Sequence, residues 1–164
     1  MNQEFKNNQG EAARFLAFTL CGEEYAVPLL KVKEVIALTE VTPVPYTPAH
    51  FKGIMNLRGQ VISVIDLRIK FKMSKTDVTQ ETAIIILDLE PLSFGVIVDS
   101  IDSVLAVETE NLRPPPDVES QIKNDYITGV TRKDDKLVLI LDIDRTLNVD
   151  DLKLLKKTPQ TNAA

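Results

Sequence analysis

The sequence predicts a mainly all-β protein made of two similar halves, and three observations support that expectation. Apolar residues form 44% of the 164-residue chain but aromatics only 5%, so the core must come chiefly from Val, Ile and Leu, which favour strands when they cluster. Those residues fall in short runs divided by turn residues, a spacing that suits a small barrel or sandwich and leaves little room for the long helices of βαβ units. The runs also recur in the same order in the second half of the chain. A chain of 164 residues can fold as one domain or as two intimate small halves, and its apolar content suffices for a core.

Strand-like runs open at residues 14–20 and 25–28, and a short polar excursion and a proline turn follow them. The first half closes with runs at 52–57, which carries Gly53, and 61–65. Residues 70–81, KFKMSKTDVTQE, are polar and unpatterned and read as a connector. Beyond it come runs at 83–89, 94–98, 103–107, 126–131 and 136–141. The loop at 114–124 starts with Pro114, Pro115 and Pro116, which favour an extended path over the surface. Only the tail at about 149–157 has a helical pattern, with Asp150 and Asp151 near its positive end and Lys153, Lys156 and Lys157 near the other.

The two halves can be superposed on the page. Shifted by 69 residues, Tyr25-Ala26-Val27 meets Phe94-Gly95-Val96, Val32 meets Ile101, Val35 meets Val104 and Pro45 meets Pro114. After a seven-residue insertion the shift becomes 76, pairing Phe51 with Ile127, Gly53 with Gly129, and Ile62-Ser63-Val64-Ile65-Asp66 with Val138-Leu139-Ile140-Leu141-Asp142. The pseudo-repeats span about 14–70 and 82–147. A unit of about sixty residues buries a small share of its surface alone, so the halves should pack face to face over a shared apolar core.

Composition and motifs exclude several classes of function. A net charge of −5 with scattered Lys and Arg argues against nucleic acid, which requires a concentrated basic face. The tyrosines Tyr25, Tyr46 and Tyr126 have no interleaved cations that would make them stacking platforms. Cys21 is the only cysteine, so the chain has no intrachain disulfide and no multi-thiolate metal site, which fits a reducing compartment. His50 is the only histidine and reads as a surface or loop imidazole. Asp88, Asp99, Asp102, Asp142 and Asp144 lie at strand ends, where carboxylates cap turns or meet solvent, and their spacing fits no calcium loop. Phosphate-binding and hydrolase motifs are absent, so the reading is of no catalytic residue, no metal and no cofactor. The first ten residues are polar and no apolar run nears the roughly 18 residues of a spanning helix, which places the chain in the cytoplasm without membrane insertion.

Arg58 stands apart. The turn Asn56-Leu57-Arg58-Gly59 maps onto Arg132-Lys133-Asp134-Asp135, so the arginine occurs in one half only and symmetric packing does not require it. One reading is a solvated hairpin residue; the other is an interface anchor, a planar permanent charge on an apolar stem.

Five motifs in order then resemble one family. Phe15-Leu16-Ala17-Phe18-Thr19-Leu20 with Glu24-Tyr25, Leu30-Lys31-Val32-Lys33-Glu34-Val35, Lys52-Gly53-Ile54-Met55-Asn56-Leu57-Arg58-Gly59, Val64-Ile65-Asp66-Leu67-Arg68 and Phe94-Gly95-Val96-Ile97-Val98-Asp99 resemble the CheW family of bacterial chemotaxis coupling proteins. The resemblance implies a single domain over 14–157, two SH3-like five-stranded β-barrels on a shared apolar core that are able to exchange segments, and flexible tails at 1–13 and 158–164. It also implies a non-enzymatic adaptor between the cytoplasmic hairpin tips of chemoreceptors and the regulatory domain of a CheA-like histidine kinase. Such a chain is a monomer when free and part of higher-order arrays at receptors. Carried over residue by residue, receptor contacts fall on Val32, Glu34, Gly53, Arg58, Gly95 and Val104; kinase contacts cannot be placed this way. Two departures from the family are the prolines Pro43 and Pro45 and the turn Pro91-Leu92-Ser93. The rival readings are the same adaptor in a non-flagellar chemosensory pathway and a small β-barrel ligand carrier, for which the sequence offers no pocket of convergent polar groups.

Overall fold

Ten strands account for most of the computed structural model, which describes residues 12–74, 77–90, 92–114, 126–147 and 151–153. They are β1 (Ala13–Leu20), β2 (Glu23–Pro28), β3 (Val32–Ala37), β4 (Phe51–Leu57), β5 (Gln60–Asp66), β6 (Ala83–Leu89), β7 (Leu92–Val98), β8 (Ser100–Val107), β9 (Ile127–Lys133) and β10 (Lys136–Leu141). Two helices of one turn, α1 (Leu67–Lys70) and α2 (Ile143–Thr146), follow β5 and β10. The expected C-terminal helix enters the described residues at 151–153, which are helical; the rest of it, the loop at 115–125 and the tails up to residue 11 and from 154 on lie outside them.

The strands form two SH3-like five-stranded sheets, barrel I in the order β8-β1-β2-β10-β9 and barrel II in the order β3-β6-β7-β5-β4. The first two strands of each half lie in the barrel of the other half. Each exchange is made by a parallel pair, β2 on β10 and β7 on β5. The registers repeat: Ala26 faces Ile140, and at the matching place Gly95 faces Val64. The exchange means that neither half can close a barrel alone.

The hairpin turns explain their residues. Cys21-Gly22, Arg58-Gly59 and Asp134-Asp135 have φ values of 50° and 82°, 50° and 88°, and 50° and 65°. Two left-handed residues in a two-residue loop match the twist of the flanking strands, and glycine adopts the second position without strain. Each barrel is also tied across its edges. Thr42, in the connection after β3, bridges to Ile54 of β4, and Arg113, after β8, bridges to Val130 of β9. The proline next to each bridge is Pro43 or Pro114, so the structural partner of Pro114 is Pro43 and not the expected Pro45.

Alternation along the strands divides the apolar side chains among three clusters. Phe15, Ala17, Ala26, Val138 and Ile140 fill barrel I, and Met55, Ile62, Val64, Ile84 and Ile86 fill barrel II. The largest cluster, with Phe18, Tyr25, Ile65, Ile85, Phe94 and Leu141 among its members, lies between the barrels as the expected shared core. An aromatic row crosses it, Phe18 to Tyr25 to Phe71 to Tyr126, with centroids 6.2, 6.4 and 5.5 Å apart.

Two expectations need correction. The polar excursion after β2 contains a strand, β3, whose Val-Lys-Glu-Val-Ile-Ala pattern alternates between half-buried and exposed, as an edge strand does. The connector at 70–81 is not wholly polar in role, because Phe71 is 5% exposed and packs between two tyrosine rings.

Candidate functional site

The β4–β5 turn projects Arg58 to solvent, with 71% of its side chain exposed. The turn is braced from within, Gly59 N–H donating to Asn56 Oδ1 at 2.8 Å. The Arg58 guanidinium pairs with Glu34, which is on β3 at the opposite edge of barrel II. The two residues singled out at a distance of 24 positions therefore meet. An exposed pair of this kind contributes about 0–1 kcal/mol to stability, so it orders two side chains more than it holds the barrel.

Gly53 precedes this turn on β4 and is buried, with φ at 143°. A Cβ there would lie 2.0 Å from the Thr42 carbonyl oxygen, so glycine is what lets the connection after β3 pair with β4. Gly129, its partner by sequence, has a carbonyl at 3.2 Å from the same position and no left-handed φ. Val32 is half-buried against the shared core at the start of β3. Gly95 lies within β7 in the middle of barrel II, where a Cβ would meet Ile84 Cγ2 at 2.8 Å. Val104 is 51% exposed on β8, the edge of barrel I, and its sequence partner Val35 is 40% exposed on β3. Glu34 and Arg58 thus form a contact and Val32 adjoins them along β3, whereas Gly53 and Gly95 are buried packing positions and Val104 belongs to the other barrel.

Two buried ionic clusters escaped the sequence reading. Asp66 caps α1 by accepting from Arg68 N–H, and it takes the Arg68 fork through Nε and Nη2, all at 3.0 Å. Arg68 Nη1 also donates to Asp99 Oδ1 at 3.0 Å, and Asp99 Oδ2 accepts from Cys21 N–H at 2.6 Å. Asp99 is therefore not the capping or solvated carboxylate expected. The Asp66 hydrogen bonds push the Arg68 guanidinium up from its ordinary range, and burial, aided by Asp99, pushes the Cys21 thiol up, away from a reactive thiolate. In the second cluster Asp151 pairs with His50 Nε2 at 2.5 Å and with Lys70 Nζ at 2.6 Å. His50 lies in the loop before β4 but is no free surface imidazole: it ties the helical residues at 151–153 to barrel II. Arg68 was detectable by the test applied to Arg58, since the second half has Asp144 in its place.

Elsewhere a cavity of about 520 Å³ is lined by Glu24, Glu81, Ser100, Ile101, Asp102 and Lys133. Burial and a hydrogen bond in which the protonated Glu24 carboxyl donates to Asp102 raise the Glu24 carboxyl above the usual range. Among the described residues no group of three His, Cys, Asp or Glu side chains is placed to hold a metal, and no helix is long and apolar enough to cross a membrane.

Comparison with known proteins adds the family. The model of the CheW-like domain matches residues 14–151. Chemotaxis protein CheW of Klebsiella aerogenes is 32% identical over 148 residues, covering 90% of this chain and 89% of that protein. Chemotaxis protein CheW of Treponema pallidum is 32% identical over 149 residues, covering 88% of each. The crystal structure of scaffolding protein TtCheW from Thermoanaerobacter tengcongensis superposes with a TM-score of 0.79 at 31% identity, over 85% of this chain and 95% of that one.

Proposed function

Because this chain belongs to the CheW-like domain family, we propose that it is a non-enzymatic adaptor of chemotaxis, coupling the cytoplasmic hairpin tips of chemoreceptors to the regulatory domain of a CheA-like histidine kinase. The observation that carries this reading is the Arg58–Glu34 pair at one open side of barrel II, made by a residue that the duplicated half lacks. A receptor tip is a helical hairpin, and an edge bearing half-buried Val32 beside a fixed charge pair offers apolar contact together with polar register. A hairpin that lay across both barrels would contact Val32, Glu34 and Arg58 on barrel II and exposed Val104 on barrel I, while Gly53 and Gly95 shape the backbone beneath. The kinase contact is proposed for apolar surface outside the shared core, of which Leu30 and Tyr46 near barrel II and Leu137 on barrel I are fully or largely exposed. The adaptor works in the cytoplasm at receptor arrays, and it couples by holding two partners in one assembly, without a reaction.

The 520 Å³ cavity gives a ligand carrier no support, because its walls are mostly charged where such ligands need apolar surface. The test of the adaptor reading is titration of a receptor hairpin fragment into wild-type protein and into Arg58→Ala and Arg58→Glu. The alanine variant should lose about 1–3 kcal/mol of binding, as an interface anchor does, with stability changed by less than about 0.5 kcal/mol. Charge reversal should weaken binding further. Unchanged affinity in both variants would remove Arg58 from the interface.

A further inference from the structure

We propose that Arg68 is a positioning residue that pins one crossover between the barrels and so fixes the angle between them, while the other crossover is held loosely and is where the barrels shift relative to each other. The inference goes beyond the adaptor reading and rests on the free chain alone. Through its ten strands the chain passes from barrel I to barrel II between Pro28 and Val32, and back between Val98 and Ser100. The return crossover is a single residue, Asp99. Its carboxylate takes Arg68 Nη1 at 3.0 Å and Cys21 N–H at 2.6 Å, and its own N–H donates to the Thr19 carbonyl at 3.0 Å. Arg68 is 2% exposed and is itself fixed by the two-point fork on Asp66. A planar fork in a dry setting holds direction as well as distance.

The duplication supplies an internal control. As Asp142 matches Asp66, so Asp144 on α2 matches Arg68, and Asp144 reaches toward Lys31 of the outward crossover. The signs are reversed, the separation is 3.9 Å, and the side chains are 34% and 60% exposed. A pair of that kind is screened and restrains little. The matching residues Arg68 and Asp144 thus make a buried multi-point pin at one crossover and a loose surface pair at the other, where Leu30 stands in the place of Asp99 and Lys31 follows it. The apolar core between the barrels keeps them together, but apolar burial is non-directional and does not define an angle as hydrogen-bonded charges do. The Lys70–Asp151 pair holds the C-terminal helical residues and leaves the outward crossover free of that restraint. The outward crossover carries Leu30 and leads straight into β3, so a shift there moves the edge that bears Glu34.

The test is double electron–electron resonance on the free protein. Spin labels go on Val35→Cys and Val104→Cys, one per barrel, in a Cys21→Ser background; a control pair on Val104→Cys and Leu137→Cys lies within barrel I. Arg68→Met should shift or broaden the interbarrel distances and leave the control pair unchanged, and Lys31→Met should leave both unchanged. Should Arg68→Met fail to fold, Asp99→Asn serves in its place, because it keeps an acceptor for Cys21 N–H and leaves Arg68 paired with Asp66; the same shift is expected. An unaltered interbarrel distribution in folded Arg68→Met or folded Asp99→Asn, equal broadening of the control pair, or an equal effect of Lys31→Met would overturn the proposal.

Discussion

At the scale of single residues, burial and hydrogen bonding separate side chains that look alike in the sequence. Tyr25 is 1% exposed at the centre of the aromatic row, and burial pushes its phenol up to about 12, whereas Tyr46 is fully exposed. Because the folded pKa lies above the ordinary value of 10.0, stability from this group is complete below pH 10 and is lost as pH rises through about 12. Alkaline titration followed by tyrosinate absorbance should show one of the tyrosines ionising late, together with unfolding, and Tyr25→Phe should remove that late step. Gly53 and Gly129 likewise part company. Gly53→Val places carbon against a backbone carbonyl at a left-handed φ and should unfold the chain or cost several kcal/mol, while Gly129→Val has only a tight contact to relieve and should cost less. Thermal melts of the two variants, ranked in the reverse order, would contradict this account of the duplicated position.

Elements show what the local pattern can and cannot reveal. Nine of the strands follow from clustered Val, Ile and Leu, but β3 hides because an edge strand half-buried on alternate residues reads as polar. The hairpins are legible in the glycines Gly22 and Gly59, yet β9 and β10 are joined by Asp134-Asp135 with both residues left-handed. Aspartate tolerates the first place, and the second favours glycine. Asp135→Gly should therefore stabilise the protein by about 0.5–1 kcal/mol, read as a rise in the denaturant midpoint at unchanged slope. A lower midpoint would mean that Asp135 has a contact worth more than its backbone strain. Of the candidate site, Arg58 was singled out because the halves differ there, and Glu34 by the family resemblance. Arg68 differs between the halves in the same way, but its pairing with Asp99 and that of His50 with Asp151 are not legible, because only the exchange of strands and the return of the C-terminal segment bring such distant positions together.

In the molecule as a whole, duplication makes two barrels and exchange makes them inseparable. Each half lends two strands to the other, and the largest apolar cluster lies between them, so the barrels should melt in one transition. A two-barrel body of this kind can present different surfaces to different partners, the charged edge at Arg58 to one and exposed apolar residues to another. In the proposed role these surfaces are used at once. The most direct measurement is a calorimetric titration of a receptor hairpin fragment into the protein already saturated with a kinase regulatory domain. The fragment should bind the saturated complex as it binds the free protein, with Arg58→Glu weakening that step and sparing the kinase step. Displacement of the kinase domain by the receptor fragment, or failure of either to bind, would contradict it.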